Sequence, residues 1–338
     1  MPQNCTNHIL APGFRYLEKG NYIMSDNPEF RLLISCPPFV KQKQNFVKLL
    51  EETGYRVHWV DTAQSLTEGE LVELIPDYDA WIVGDDPCTR RVLKAGKNGN
   101  LKVVIKWGVG TDNIDLQSIK DFDLKFANTP GLFGKDVADL VIAYVTILAR
   151  SIFQVHTGVS GGLWPKIVGN SLTHKTIGIV GLGNIGSNIS KRALAAEMKV
   201  IAYEIDFQSN SGTDNLKILN WPEEIELLDF LVLACPLTNE NYMMMNPIIF
   251  SKMKRGSFLI NVSRGGLIDE HSLVNAIHEG IIAGAALDVF NVEPLPLDSQ
   301  LRNQTNIILG SHNASNTLES VRLASYKAIE LVNDFLKN

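Results

Sequence analysis

The run Ile177-Gly178-Ile179-Val180-Gly181-Leu182-Gly183-Asn184-Ile185-Gly186 constrains this chain more than any other segment. A short apolar strand leads straight into a three-glycine turn, and Ile185, Ile189, Ala193 and Ala196 then recur at helical spacing. Strand, tight turn and helix in that order build the corner on which a dinucleotide rests its pyrophosphate. Gly181 permits the turn, Gly183 lets backbone approach the phosphates, and Gly186 lets the helix pack on the strand. Asn184 and Ile185 open the helix, where free N–H groups and the helix dipole favour an anion. Glu204 closes the next strand-like run, at a place where a carboxylate accepts from both adenosine ribose hydroxyls and repels a 2′-phosphate. Ile205 and Asp206 come next rather than Arg or Lys, so NAD is expected over NADP.

The chain of 338 residues, 45% hydrophobic and 20% charged, is long enough for two domains with cores of their own. A net charge of −6 with no Lys/Arg run argues against a nucleic-acid surface. Cys5, Cys36, Cys88 and Cys235 are scattered, with no C-x-x-C and no zinc spacing. No metal site is therefore expected, and free thiols in a reducing compartment, by default the cytoplasm, are the economical reading. No apolar run approaches the roughly 18 residues of a membrane span, so no membrane partner is expected. Residues 1–30 lack the apolar block of a secretion signal and read as an extension ahead of the first strand.

The front third alternates strand-like runs at 31–35, 55–60, 80–83, 103–106 and 124–127 with helix-like runs at 41–53, 67–75 and 89–95. After the breaker Thr129-Pro130-Gly131, the apolar run 137–148 reads as a helix that bridges to a second unit. That unit alternates again, with strands at 177–180, 200–203, 230–234, 258–261, 285–289 and 306–309. A final helix over 318–336, with Val321, Ala324, Ile329, Val332 and Phe335 on one face, is expected to cross back to the first unit. The fold class is α/β: two Rossmann-like or flavodoxin-like parallel-sheet domains with a cleft between them. The expected division is a substrate-binding domain over 31–130, completed by 314–338, and an NAD-binding domain over 131–313.

Strand ends in the second unit carry polar residues in unusual places. Asn261-Val262-Ser263-Arg264-Gly265-Gly266 follows one strand, Asp288 to Pro294 another, and Gly310-Ser311-His312-Asn313 a third. Each has an ordinary reading when taken alone: a solvated Arg264, a Glu293 marking a turn before proline, a structural His312. Carboxyl ends of parallel strands share one crevice, however, so the three can meet despite their separation in sequence.

At these residues the chain resembles the D-isomer-specific 2-hydroxyacid dehydrogenases, particularly the phosphoglycerate dehydrogenase-like branch. The resemblance runs from about Arg31 to the C-terminus. It includes Gly108-Val109-Gly110-Thr111-Asp112-Asn113-Ile114-Asp115, Asn128-Thr129-Pro130-Gly131, the glycine turn, Cys235-Pro236-Leu237-Thr238 and the spacing from Arg264 to Glu293 to His312. It implies that a nicotinamide cofactor carries the hydride while a D-2-hydroxy acid and its 2-keto acid interconvert. His312 is then the general acid/base, with Glu293 stabilising its imidazolium, and Arg264 orients the substrate's carboxylate and polarises its carbonyl. Backbone N–H groups of Val109 and Gly110 are implied to hold the carboxylate. Asp288 is implied to bind the nicotinamide carboxamide, and Cys235 and Pro236 to touch the adenine. The region 135–150 resembles the segment that pairs subunits, so a homodimer is expected.

Some residues depart from the family pattern. Gly84-Asp85-Asp86-Pro87 stands where phosphoglycerate dehydrogenases often carry Arg, and two acids repel a phosphate. They either meet an amino or hydroxyl group or simply face solvent. Lys106 remains as one cation for an anionic substrate. Asn313 either donates to the substrate's far end or caps a turn. The rival from another class is an NAD(H)-sensing binding protein on the same fold, like the C-terminal-binding corepressors.

Overall fold

A computed structural model describes residues 30–204 and 215–337. Ile205 and Asp206, named above, lie outside the described residues, as does the extension 1–29. Five strands form the first sheet: β1 (Phe30–Ile34), β2 (Tyr55–Trp59), β3 (Ala80–Val83), β4 (Val103–Lys106) and β5 (Lys125–Asn128), in the order β2-β1-β3-β4-β5. Seven form the second: β6 (Thr176–Val180), β7 (Lys199–Tyr203), β8 (Leu216–Leu219), β9 (Phe230–Leu233), β10 (Ser257–Asn261), β11 (Ile282–Leu287) and β12 (Ile307–Leu309). Their order is β12-β11-β10-β9-β6-β7-β8. All pairings in both sheets are parallel. The central strands β3, β4 and β9 are buried at every residue and apolar apart from Lys106 at the end of β4, as strands covered on both faces are.

The strand order reverses at β1/β3 in the first sheet and at β6/β9 in the second. Ligand crevices open outside the carboxyl ends of strands at such reversals. The helix Gly134–Arg150 carries the chain from one sheet to the other. Its buried residues Val137, Ala138, Val141 and Val145 share one core with Leu32 and Ile105 of the first sheet and Ile177 and Val232 of the second.

The last helix, Leu318–Lys337, packs Val321, Ala324, Ala328, Ile329 and Val332 inward. It is tied to the first unit by Trp107 Nε1 donating to Ser325 Oγ (3.1 Å) and Tyr55 Oη donating to Asn333 Oδ1 (2.6 Å). Its first turn is anchored on the bridging helix, where Asp136 accepts from Thr317 Oγ1 at 2.8 Å and Ser320 Oγ at 2.5 Å.

Two local features differ from the expected pattern. The run 41–53 is not one helix but Pro37–Lys41, a 3₁₀ turn Lys43–Asn45, and Val47–Glu52. The breaks turn Phe46 inward, edge-on to Phe39 at 4.9 Å between ring centroids and to Tyr326 of the last helix at 5.2 Å. Aromatic packing of this kind outweighs the weak preference of the run for a straight helix. Strand β8 has no counterpart in the pattern of apolar runs. It is a short edge strand paired only with β7, too brief to leave a periodic signature. Among the described residues, no helix is long and apolar enough to cross a membrane.

Candidate active site

Every polar group of the site leaves its strand at the carboxyl end. At the end of β6, Gly181 adopts φ +91°, and a side chain there would meet the Cys235 backbone at 2.9 Å. Gly183 caps the helix Asn184–Ala195 without a side-chain hydrogen bond, and nothing lies within 4 Å of where its Cβ would stand. Open space thus lies beside Gly183 at the helix N-terminus, with Asn184 exposed, Ile185 packed on the core and Gly186 buried. Gly186 closes the corner: a Cβ there would lie 1.9 Å from the Gly181 carbonyl oxygen. Glu204, just beyond β7, accepts from the Leu182 N–H inside the glycine turn at 2.6 Å. Cys235 and Pro236 follow β9 beside Gly181. Burial pushes the Cys235 thiol up to about 11, so this cysteine is not a nucleophile at neutral pH. Ser263 Oγ also donates to the Cys235 carbonyl. These features fit a dinucleotide: an open helix start for the phosphates and a carboxylate at the next strand end for the ribose.

At the end of β10, the buried Asn261 side chain accepts from Ser263 N (3.0 Å) and donates to the Arg264 carbonyl (2.8 Å). This fold of the turn aims Arg264 across the cleft. There its Nε meets both oxygens of Asp112 from the other unit, at 2.9 and 3.0 Å, and Nη1 donates to the Ser263 carbonyl at 2.8 Å. Nη2 lies where Gly110 has no side chain; a Cβ on Gly110 would stand 1.8 Å from it. Burial raises the Asp112 pKa, and the Arg264 charge and hydrogen bonds outweigh that, so the carboxyl ends below its ordinary value. Val109 is exposed and Gly110 half-buried beside this guanidinium.

Glu293 and His312 come from the ends of β11 and β12. His312 Nδ1 lies 2.7 Å from Glu293 Oε2, while Glu293 Oε1 accepts from Phe290 N at 2.9 Å. His312 sits at φ +53°, a left-handed conformation that costs a non-glycine residue on the order of 1–3 kcal/mol. It is held there by its N–H donating to the Asp288 carbonyl at 2.7 Å. Burial lowers the imidazole pKa; the Glu293 hydrogen bond and the charges of Asp85 and Glu293 more than offset this, and the net direction is up. The Asp288 side chain is buried, and its two oxygens accept from the N–H groups of Asn313 (3.1 Å) and Ala314 (2.8 Å). It thereby shapes the turn that carries His312.

One expectation changes, and two left open are narrowed. Lys106 is not presented to the cleft as a free cation. It is 2% exposed, and its ammonium donates to the Gly84 carbonyl (2.5 Å) and to Asp85 (3.0 Å). The acids at 85 and 86 do not simply face solvent. Asp86 is buried, accepting from Ser35 Oγ (2.6 Å) and Leu66 N (2.8 Å), because this loop needs an acceptor for both. Asp85 turns toward the cleft instead. Asn313 accepts from Asn316 Nδ2 at 2.6 Å, which favours the turn-capping role. Asp112, and Gln64, whose Nε2 donates to Glu293 Oε2 at 3.2 Å, are site residues with no signal of their own in the sequence. Asp112 lies within the quoted Gly108 to Asp115 box, whereas Gln64 sits in a polar loop after β2 that carries no pattern.

Comparison with known proteins gives the family. The family model for the D-isomer specific 2-hydroxyacid dehydrogenase NAD binding domain matches residues 142–314. A hydroxypyruvate reductase of Thermotoga maritima is 34% identical over 278 residues, 80% of this chain and 89% of that protein. A chloroplastic D-3-phosphoglycerate dehydrogenase of Arabidopsis thaliana is 35% identical over 323 residues, 93% of this chain, which spans only 50% of that protein. The TT0316 protein of Thermus thermophilus superposes with a TM-score of 0.78 at 28% identity, over 90% of this chain and 97% of that one. The chain belongs to the D-isomer specific 2-hydroxyacid dehydrogenase family, a family of NAD-dependent oxidoreductases. Its cofactor is NAD(H).

The Arg264–Gly110 contact generates a test. An added methyl in Gly110→Ala meets the far end of a flexible side chain, so the fold accommodates it, but the guanidinium must move. Steady-state kinetics should show kcat/KM lowered about a hundredfold with NADH affinity unchanged. Equal turnover in this variant would mean that the position of Arg264 is immaterial.

Proposed function

We propose that the chain interconverts a D-2-hydroxy acid and its 2-keto acid, with His312 giving a proton to the C2 oxygen on reduction and taking it on oxidation. The observation that carries this reading is the His312–Glu293 pair at 2.7 Å, facing the same cleft as Arg264. NAD(H), when bound, supplies or accepts the hydride. Gly181, Gly183, Asn184, Ile185 and Gly186 would hold its pyrophosphate, Glu204 its adenosine ribose, Cys235 and Pro236 its adenine, and Asp288 the region of the carboxamide. Glu293 fixes the imidazole and stabilises its charged form. Arg264 presents Nη2 beside the Val109 and Gly110 backbone, a combination that would grip the substrate carboxylate and polarise the adjacent carbonyl. In this reading the substrate domain is 31–130 with 314–338 and the cofactor domain is 131–313.

The substrate we favour is a small, unphosphorylated 2-keto acid. Lys106, Arg264 and His312 each already meet a carboxylate, from Asp85, Asp112 and Glu293 respectively. A phosphate entering beside the half-exposed Asp85 would find repulsion rather than an unpaired cation. The named relatives favour an enzyme over the NAD(H)-sensing corepressor-like alternative. We also propose a homodimer. The helix Ile152–Ser160 and the segment after it expose Phe153 (53%), Leu163 (67%), Trp164 (76%) and Val168 (94%), a cluster suited to a second copy. A cytoplasmic location agrees with the free thiols Cys36, Cys88 and Cys235.

Replacing His312 by Asn should reduce turnover about 10²- to 10⁴-fold while NADH titration is unaltered; undiminished turnover would refute the acid/base role. A panel of 2-keto acids with NADH should give a kcat/KM for phosphorylated members about tenfold or more below that of hydroxyl-bearing ones. The reverse order would overturn the substrate class. Trp164→Glu should sediment as a monomer, and a wild-type chain that sediments as a monomer would remove the dimer.

A further inference from the structure

Glu293 is not alone at His312. Asp85 Oδ2 stands 3.8 Å from the same imidazole nitrogen, Nδ1, having arrived from the end of β3 on the opposite side of the cleft. Gln64 Nε2 lies 3.2 Å from Asp85 Oδ2 and 3.2 Å from Glu293 Oε2. One amide therefore bridges the two carboxylate oxygens that face the imidazole, and its protons offset the repulsion between them. The other Asp85 oxygen is pinned by the Lys106 ammonium at 3.0 Å, which is itself fixed on the Gly84 carbonyl. Asp85 is thus oriented by a buried cation toward a half-buried ring.

We propose that Asp85 is a positioning residue for the proton donor: a second carboxylate, steered by Lys106 and spaced by Gln64, that holds His312 in its protonated form from across the cleft. The proposal rests on the reading of His312 as the donor. Four ionisable groups face the imidazole. Glu293 and Asp85 favour the imidazolium and Arg264 opposes it. The fourth, Asp288, lies close by with its carboxylate engaged by backbone N–H groups. Burial raises the Asp85 pKa, but Lys106 and His312 more than reverse this and bring it to about 2. Asp85 is therefore an anion throughout the working range. Asp85 and Gln64 belong to the first sheet's unit, while Glu293 and His312 belong to the second. The proton affinity of the donor thus depends on the two units meeting.

The same contacts admit a plainer role for Asp85, as counterion to Lys106 and nothing more. A pH profile separates the two. Reduction needs protonated His312, so kcat/KM for a 2-keto acid is high at low pH and falls as pH rises through the pKa of the ring. In Asp85→Asn holoenzyme that fall should move down by about one pH unit, with rates below the fall within a few-fold of wild type. At a pH above both midpoints the variant should then be about tenfold slower. The double variant Asp85→Asn with Lys106→Gln, which leaves no buried ammonium unpaired, should show the same displacement if the single variant does not accumulate. A midpoint unmoved to within about 0.2 unit, or a uniform loss at every pH, would overturn the proposal and leave Asp85 as a counterion. If His312→Asn retains the falling limb, it is the donor assignment itself that fails, a result visible without any change at Asp85.

Discussion

Parallel strands all end on the same side of their sheet, and two such sheets face each other here across one cleft. That constraint is what assembles the site. Asp85 follows β3, Gly110 follows β4, the glycine turn follows β6, Cys235 follows β9, Arg264 follows β10, Glu293 follows β11 and His312 follows β12. No helix or long loop needs to deliver any of them. Because each strand is locked by neighbours on both sides, the side chain just beyond it inherits a fixed position. The exception is His312, beyond the edge strand β12, and there Asp288 of the neighbouring strand end supplies the missing restraint through backbone hydrogen bonds.

Charge in the cleft is arranged in pairs, and two of them, Arg264 with Asp112 and His312 with Asp85, cross between the units. Arg264 meets Asp112, and His312 meets Glu293 with Asp85 close behind. Lys106 is the deepest member of the set, 2% exposed and held by Asp85 and a carbonyl. A buried ion pair contributes little net stability, yet losing one partner is costly, because the survivor is left uncompensated in a poorly hydrated place. The two crossing pairs accordingly tie the orientation of Arg264 and the charge around His312 to the other unit.

The helix Gly134–Arg150 and the final helix Leu318–Lys337 make the two units one body. The first shares its buried face with both sheets, and the second returns the chain to the first sheet after the whole second sheet is complete. Asp136 joins them at the point where the chain enters the last helix. The ends of the described chain thus lie on one unit, and the other is inserted between them.

Much of this was legible in the residues. The alternation of apolar runs pointed to two parallel sheets, and ten or so short patterns placed nearly every strand within a few residues. The glycine turn announced its own geometry, since only glycine tolerates the φ of Gly181 or the crowding at Gly186. Arg264, Glu293 and His312, each ordinary when taken alone, stood out together because the carboxyl ends of parallel strands share one crevice. The broken helix around Phe46 and the edge strand β8 were not legible, since the first is set by the aromatic ring of Tyr326 and the second by pairing alone. Nor did Gln64, Asp112 or the direction of Asp85 carry a local signal. Local sequence encodes what a residue does to its own backbone and which face of an element turns inward. Which charge meets which, between units some two hundred residues apart in the chain, is decided only when both sheets have packed on their shared helix, because electrostatic partners are chosen by distance in space.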